Sequence, residues 1–221
     1  MLARRIARRR RACRGLGAAL AAGLLLAAGP AAAGTYHVDP ARSTLLLRTY
    51  RAGPAGRLAH DHAVQATEFA GTIEFDPARP EASAVSVEAR TDGLRVDDPA
   101  ARRRLGLEGD LSPDQRRDVE GAMRAPDQLD VARFPTIRFA STAIRREADG
   151  GYLVTGQLTI RGVTREVTFP AEVALDHDVL RARATFGFRQ SSFGYRPYRA
   201  FLGAVQNRDE VTLQVELVAT P

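Results

Sequence analysis

The stretch "GYLVTGQLTIRGVTREVTFPAEVAL", residues 151–175, holds two runs of period-two alternation on either side of Arg161-Gly162. Val163, Arg165, Val167 and Phe169 fall in one register, as they do on one face of a strand. Arg161-Gly162 reads as a tight turn, because glycine takes a left-handed backbone at no steric cost. Two strands joined by so short a turn are an antiparallel hairpin. The same texture continues in both directions. Upstream, Asp149-Gly150-Gly151 is a second hairpin turn, preceded by "TIRFASTAIRRE" with Ile137 and Phe139 together. Downstream, "VLRARATFGFR" aligns Ala182, Ala184, Phe186 and Phe188, and "EVTLQVELVA" aligns Val211, Leu213, Val215 and Leu217.

Nearer the N-terminus, "STLLLRT" places Ser43, Leu45, Leu47 and Thr49 on one face. "TEFAGTIEFD" does so with Phe69, Gly71, Ile73 and Phe75, and "SAVSVEAR" with Val85, Val87 and Ala89. That makes about eight strands with turn signals between them and no crossover helices, an all-β pattern. Closing eight antiparallel strands into an up-and-down barrel removes exposed sheet edges. One segment breaks the rhythm, a charged helical insertion between strands over residues 97–135. Ser112 caps a helix starting at Pro113, Gln115 completes a capping box, and the helix runs to about Arg124. A second short turn is expected over Gln128 to Ala132. Val119 and Met123 are four residues apart, so the helix either lies solvated across one end of the barrel or acts as a lid.

The first 33 residues read as a signal peptide. "MLARRIARRRRACRG" carries seven arginines and no acid, an apolar run follows, and Ala31-Ala32-Ala33 is a small-residue cleavage site. The apolar run is shorter than the roughly 20 residues that span a bilayer, so no membrane span is expected after removal of the segment. Residues 34–221 then form one exported domain, periplasmic or extracellular. The whole chain has 32 basic and 26 acidic residues, but without the leader arginines it is nearly neutral, which argues against a nucleic-acid partner. Every basic residue is arginine, so lysine Schiff-base chemistry is excluded. The single cysteine, Cys13, lies in the leader, so the mature domain has no disulfide, thiolate metal site or cysteine nucleophile.

Several stretches resemble one known family. "YHVDPARSTLLLRT", "FAGTIEFD", "LDVARFPTIRFAST", "GQLTIRGVTREVTF" and "RQSSFGY" followed by "NRDEVTLQVEL" appear in its order, across nearly all of residues 35 to 219. Together they are similar to the YceI-like family of exported, polyisoprenoid-binding proteins. The resemblance implies an elongated, lipocalin-like antiparallel barrel whose apolar cavity takes an isoprenoid lipid or quinone-like amphiphile. It brings no catalytic residue and no cofactor, so a binding protein rather than an enzyme is expected. The cavity-lining candidates are Leu45, Leu47, Phe69, Ile73, Phe75, Val85, Val87, Ile137, Phe139, Phe186, Phe188, Val211 and Leu213. An alkyl chain in such a tube gains about 0.8 kcal/mol for each buried CH₂. The competing expectation is a barrel whose side chains meet and leave no cavity, a structural or stress-protective envelope protein. Neither the ligand's delivery partner nor the oligomeric state is indicated by the sequence.

The chain departs from the family pattern in "LRTYRAGPAGRLAHDHAVQATEF", where Tyr50 stands near the usual first-strand histidine and "AGRLAHDH" replaces a glycine-phenylalanine element. The segment "YRPYRAFLGAVQN" is also longer than usual. His60 and His62 flank Asp61 and would share a face if they lie on a strand. Three roles compete for them: bonding Asp61 or backbone at the barrel mouth, contacting a ligand head group, or starting a metal site, which would make the protein a metal-dependent enzyme or sensor. A metal needs three or four ligands, and His37 and His177 are the only other histidines, so the fold would have to assemble them. Arg161 and Arg165 are further polar-mouth candidates, for an anionic head group or, for Arg165, an outer-face carboxylate. No G-x-S-x-G elbow is present, and Ser191-Ser192 have no neighbouring histidine.

Overall fold

A computed structural model describes residues 33–56 and 59–221. Residues 1–32, all but the last residue of the expected leader, lie outside the described residues, as do Arg57 and Leu58. Among the described residues, no helix is long and apolar enough to cross a membrane.

The described residues hold twelve strands: β1 (Gly34–Val38), β2 (Thr44–Ala52), β3 (His62–Ala66), β4 (Phe69–Phe75), β5 (Ala84–Arg90), β6 (Leu94–Val96), β7 (Thr136–Arg146), β8 (Tyr152–Ile160), β9 (Val163–Asp176), β10 (Val179–Arg189), β11 (Arg199–Ala200) and β12 (Val205–Thr220). They compose a closed barrel of eight antiparallel strands, because three of the eight are broken. β1 pairs with β4, ending at His37 opposite Thr72, and β2 with β3, ending at Thr49 opposite His62, with the register shifted by two residues between them. β4 likewise pairs with β5, and β3 with β6. β7, β8, β9, β10 and β12 complete the circuit, and β12 closes it by pairing with both β2 and β1. At the break between β1 and β2, the Ser43 hydroxyl accepts from the Val218 N–H at 2.9 Å and so stands in for a missing ladder bond. β11 forms a small hairpin with the start of β12.

β8 displays the alternation most plainly. Tyr152, Val154, Gly156, Leu158 and Ile160 are buried, and the residues between them are not. A side chain at Gly156 would put its Cβ 2.5 Å from the Phe139 ring, so glycine is what lets β7 and β8 pass at that level. The β8–β9 turn is Arg161 and Gly162, both left-handed at φ 52° and 72°, the two-residue hairpin geometry expected from the twist of the flanking strands. The β7–β8 turn places Gly150 at φ 90°, with the Gly151 N–H donating to Asp149 Oδ1 at 2.9 Å.

The insertion contains two helices. α1 (Pro99–Arg104) is capped by Asp98, which accepts from the Ala100 and Ala101 N–H groups. It covers the outer face of β2 and β3, burying Leu46 and Ala63 against Ala101 and Leu105. α2 (Pro113–Arg124) begins at Ser112 with the capping box to Gln115 in place. Residues 126–133 continue as turns.

α2 fills a gap in the wall. The β5–β7 ladder ends at Arg90 opposite Thr136, so β6 has no strand on its outer side. Glu120 of α2 accepts from the Val96 N–H at 3.0 Å, and Arg124 donates to the Leu94 carbonyl at 3.1 Å. The two helix side chains, themselves an ion pair at 3.3 Å, thus satisfy the strand edge. Val96 is 2% exposed, so Glu120→Ala leaves a buried donor unpaired and is expected to cost about 1–3 kcal/mol. Amide exchange at Val96 should accelerate in that variant; unchanged protection would mean that Glu120 does not hold the edge.

Candidate functional site

The inward faces of the barrel enclose two chambers. The lower, about 160 Å³, is apolar over nearly its whole wall. Of the candidates above, Ile73, Phe75, Val85, Val87, Phe139 and Phe186 line it. Leu47 and Phe188 line the upper chamber, and Leu45, Ile137 and Leu213 line both. Those three, with Ala89 and Leu158, form a waist where the chambers abut. β8 supplies wall residues that the sequence reading left without a face, although the alternation of Val154, Leu158 and Ile160 signalled them. Phe69 and Val211 do not line either chamber. Both are buried, at 9% and 1% exposure, and are paired in the ladder, Phe69 with Ala89 and Val211 with Thr49 and Phe188, so they belong to the packed core without bounding a void.

One seam of the lower wall is made of rings. The β9–β10 ladder ends at Ala171 opposite Ala184, beyond which β9 pairs with β8 alone and β10 with β12 alone. Across the parting, Phe169 stacks on Phe186 with centroids 4.2 Å apart and planes 6° from parallel. Phe139 packs on Phe169, and Phe188 links Phe186 to Phe193. Phe193, 1% exposed, belongs to the 3₁₀ turn Gln190–Phe193 that follows β10.

The upper chamber, about 310 Å³, lies between the strand ends, α2 and the segment after β10. Val119, Ala122 and Met123 turn the apolar face of α2 toward it. Its polar groups include Thr49, His62, Gln190, Tyr195 and Asn207. Thr49 is 8% exposed, and among the described residues its Oγ1 has no hydrogen-bond partner. Thr49 and His62 are opposite one another in the β2–β3 ladder, so they stand side by side on the inner face. Burial, with the nearby Asp209 carboxylate, pushes the Tyr195 phenol far above its usual range and keeps it a protonated donor.

His62 is anchored from behind. Its Nδ1 donates to Asp97 Oδ2 at 2.6 Å, which leaves Nε2 as the nitrogen available to the cavity. Asp97 is fully buried at φ 54° and also accepts from the Ala63 N–H at 2.9 Å and from Arg102 at 2.8 Å. Arg102, 2% exposed, donates in addition to the carbonyls of Asp61, Glu108 and Gly109. Burial alone would raise the Asp97 carboxyl. The His62 contact, the Ala63 amide and Arg102 outweigh it and hold the group below its ordinary value of 3.8. A depressed carboxyl contributes stability that is complete above its unfolded value and is lost as pH falls through the folded one. Stability should therefore drop as pH is lowered below about 4, and the drop should be shallower in Asp97→Asn. Urea unfolding of both proteins across this range checks the sign; parallel pH curves would remove Asp97 from the acid response.

His60 and His62 are not brought together. The strand begins at His62, while His60 is exposed in the loop before it, so the shared face never forms. Asp61 pairs instead with Arg48 at 2.6 Å and accepts from the Arg51 N–H. Among the described residues, no three His, Cys, Asp or Glu side chains gather in metal-binding geometry. Arg161 and Arg165 line neither chamber: Arg161 donates to the Pro126 carbonyl at 2.6 Å, and Arg165 is exposed and bonds the Thr164 carbonyl rather than a carboxylate. Thr49, Asp97, Gln190 and Tyr195 were not singled out as polar site residues by the sequence, and only the inward register of Thr49 signalled any of them.

A family model described as the YceI-like domain matches residues 36–219. A UPF0312 protein of Pseudomonas putida is 33% identical over 155 residues, 70% of each chain. One of Pseudomonas fluorescens is 35% identical over 104 residues, 47% of this chain and 45% of its own. Among solved structures, Burkholderia cenocepacia BcnA superposes with a TM-score of 0.63 at 22% identity, covering 83% of this chain and 99% of its own. The Campylobacter jejuni YCEI protein gives 0.54 at 16% identity, covering 72% and 84%. At these identities the structures speak for the fold alone.

Proposed function

Since this chain belongs to the YceI-like family, we propose that it is an exported binding protein that holds an isoprenoid-type amphiphile, for transport, storage or shielding. The observation that carries this reading is a pair of abutting chambers, one almost wholly apolar and the other polar at its far end. The tail occupies the lower chamber and passes the waist. The head lies in the upper chamber, within reach of Thr49, His62 and Tyr195. A filled structural barrel would have no use for a void with a buried, unpartnered hydroxyl on its wall.

Charge selects the head group. The chain carries 32 arginines, yet among the described residues none lines the upper chamber, whereas the Asp118 carboxylate does. A polyprenyl phosphate buried there would lack the guanidinium partners that phosphate recognition uses. A neutral head with carbonyl or hydroxyl oxygens fits the donors present, which makes a quinone-like lipid the favoured class. Organic extraction of the gently purified mature domain, followed by mass spectrometry, should yield such a neutral isoprenoid. Repeated absence of lipid, with no uptake of isoprenoid probes, would overturn the reading. Recovery of a polyprenyl phosphate alone would overturn its head-group half.

A further inference from the structure

The segment between β10 and β12 ends in a short hairpin, β11 against the start of β12, whose tip is Phe201-Leu202-Gly203. Phe201 is 82% exposed and Leu202 fully so, which makes them the most exposed large apolar side chains among the described residues. All three tip residues are left-handed, at φ 48°, 56° and 88°. That conformation is unfavourable for phenylalanine and leucine, and here it serves to turn two large apolar groups into solvent. The base of the hairpin is firmly held. Arg199 and Ala200 pair with Gln206 and Val205, the Ala55 N–H donates to the Ala204 carbonyl at 2.9 Å, and the Asn207 N–H donates to the Tyr198 carbonyl at 3.0 Å. The tip is thus a built projection on a packed base.

Two further features point to its partner. Arg196 and Arg199 precede the tip, both exposed, and among the described residues neither is paired with a carboxylate. The same segment also supplies Tyr195, Tyr198 and Asn207 to the wall of the upper chamber, so the projection stands at that chamber's mouth. Apolar side chains bordered by unpaired guanidinium groups match an interface with an apolar interior and an anionic surface. We propose that Phe201 and Leu202 form a membrane-docking finger that inserts into an anionic bilayer and sets the mouth of the upper chamber against it. The longer "YRPYRAFLGAVQN" segment then has a purpose beyond closing the barrel.

Sedimentation with lipid vesicles tests this, and it needs no cavity ligand, so its outcome is separable from that of the lipid extraction. The mature protein should bind vesicles of phosphatidylcholine mixed with phosphatidylglycerol, and bind pure phosphatidylcholine more weakly. Phe201→Ser/Leu202→Ser should lose roughly tenfold or more on both, since burying even one such side chain exceeds a factor of ten. Arg196→Gln/Arg199→Gln should lose the preference for the anionic vesicles and its salt sensitivity, but retain the weaker binding. Circular dichroism melting confirms that each variant is folded. Equal sedimentation of the parent and the tip variant would overturn the proposal. So would a dimer of the parent that the tip variant dissolves, because the finger's partner would then be a second copy.

Discussion

Replacing Asp97 with alanine is expected to destabilise the fold by about 3–5 kcal/mol, the range for breaking a buried ion pair from one side. The carboxylate is fully buried, and Arg102, its partner at 2.8 Å, is only 2% exposed. Removing Asp97 leaves the guanidinium charge in the interior with three carbonyls but no counter-charge. The Ala63 N–H and His62 Nδ1 lose their acceptor in the same change. Urea denaturation measures the loss. Asp97→Ala/Arg102→Met should be less damaging than the two single changes added together, because the charge that was stranded is also removed. If Asp97→Ala unfolds with the stability of the parent, the network behind His62 does not support the barrel.

The largest effect on binding is expected from Ala89→Phe. Ala89 is buried on β5 and lines both chambers, so a ring at this position fills the waist. A tail that passes from the upper to the lower chamber is then blocked. Excluding even the five carbons of one isoprene unit removes about 4 kcal/mol at ~0.8 kcal/mol per carbon, near a thousandfold in affinity. A short-tailed analogue that ends above the waist should keep its affinity within a few fold. The ring also overpacks the core, at a cost of about 1–3 kcal/mol in stability, which thermal unfolding measures separately. Competition binding with the two analogues decides the matter. Equal losses for long and short tails, or no loss for either, would mean that the tail does not cross Ala89.

The barrel was legible in the sequence because a half-buried strand writes its face into every second residue. The eight alternating runs correspond to the eight circuit strands, and Ser112, Gln115 and Arg124 marked α2 correctly. What the alternation could not display was the breakage of three strands. β6 is three residues long and β1 five, too short for a period to stand out. Leu46 was also out of reach, since counting assumes that the outer face is wet and α1 makes it dry. The apolar chambers follow from the same period. The polar end does not, because Thr49, His62, Asp97 and the Gln190–Tyr195 segment come from four separate stretches and meet only through the topology. Asp97-Asp98 reads as loop acid, yet one residue is the buried anchor of His62 and the other the cap of α1.

The parting between β9 and β10 gives the wall a grain. Along a hydrogen-bonded ladder, spacing is set by directional bonds, and widening by an ångström breaks them. At Phe169 and Phe186 the wall is closed by two parallel rings, whose attraction is dispersive and falls off gradually as they slide or separate. At this level the barrel is therefore a hoop with an elastic seam between stiffer hydrogen-bonded staves. Its girth there is set by van der Waals contact rather than by backbone register.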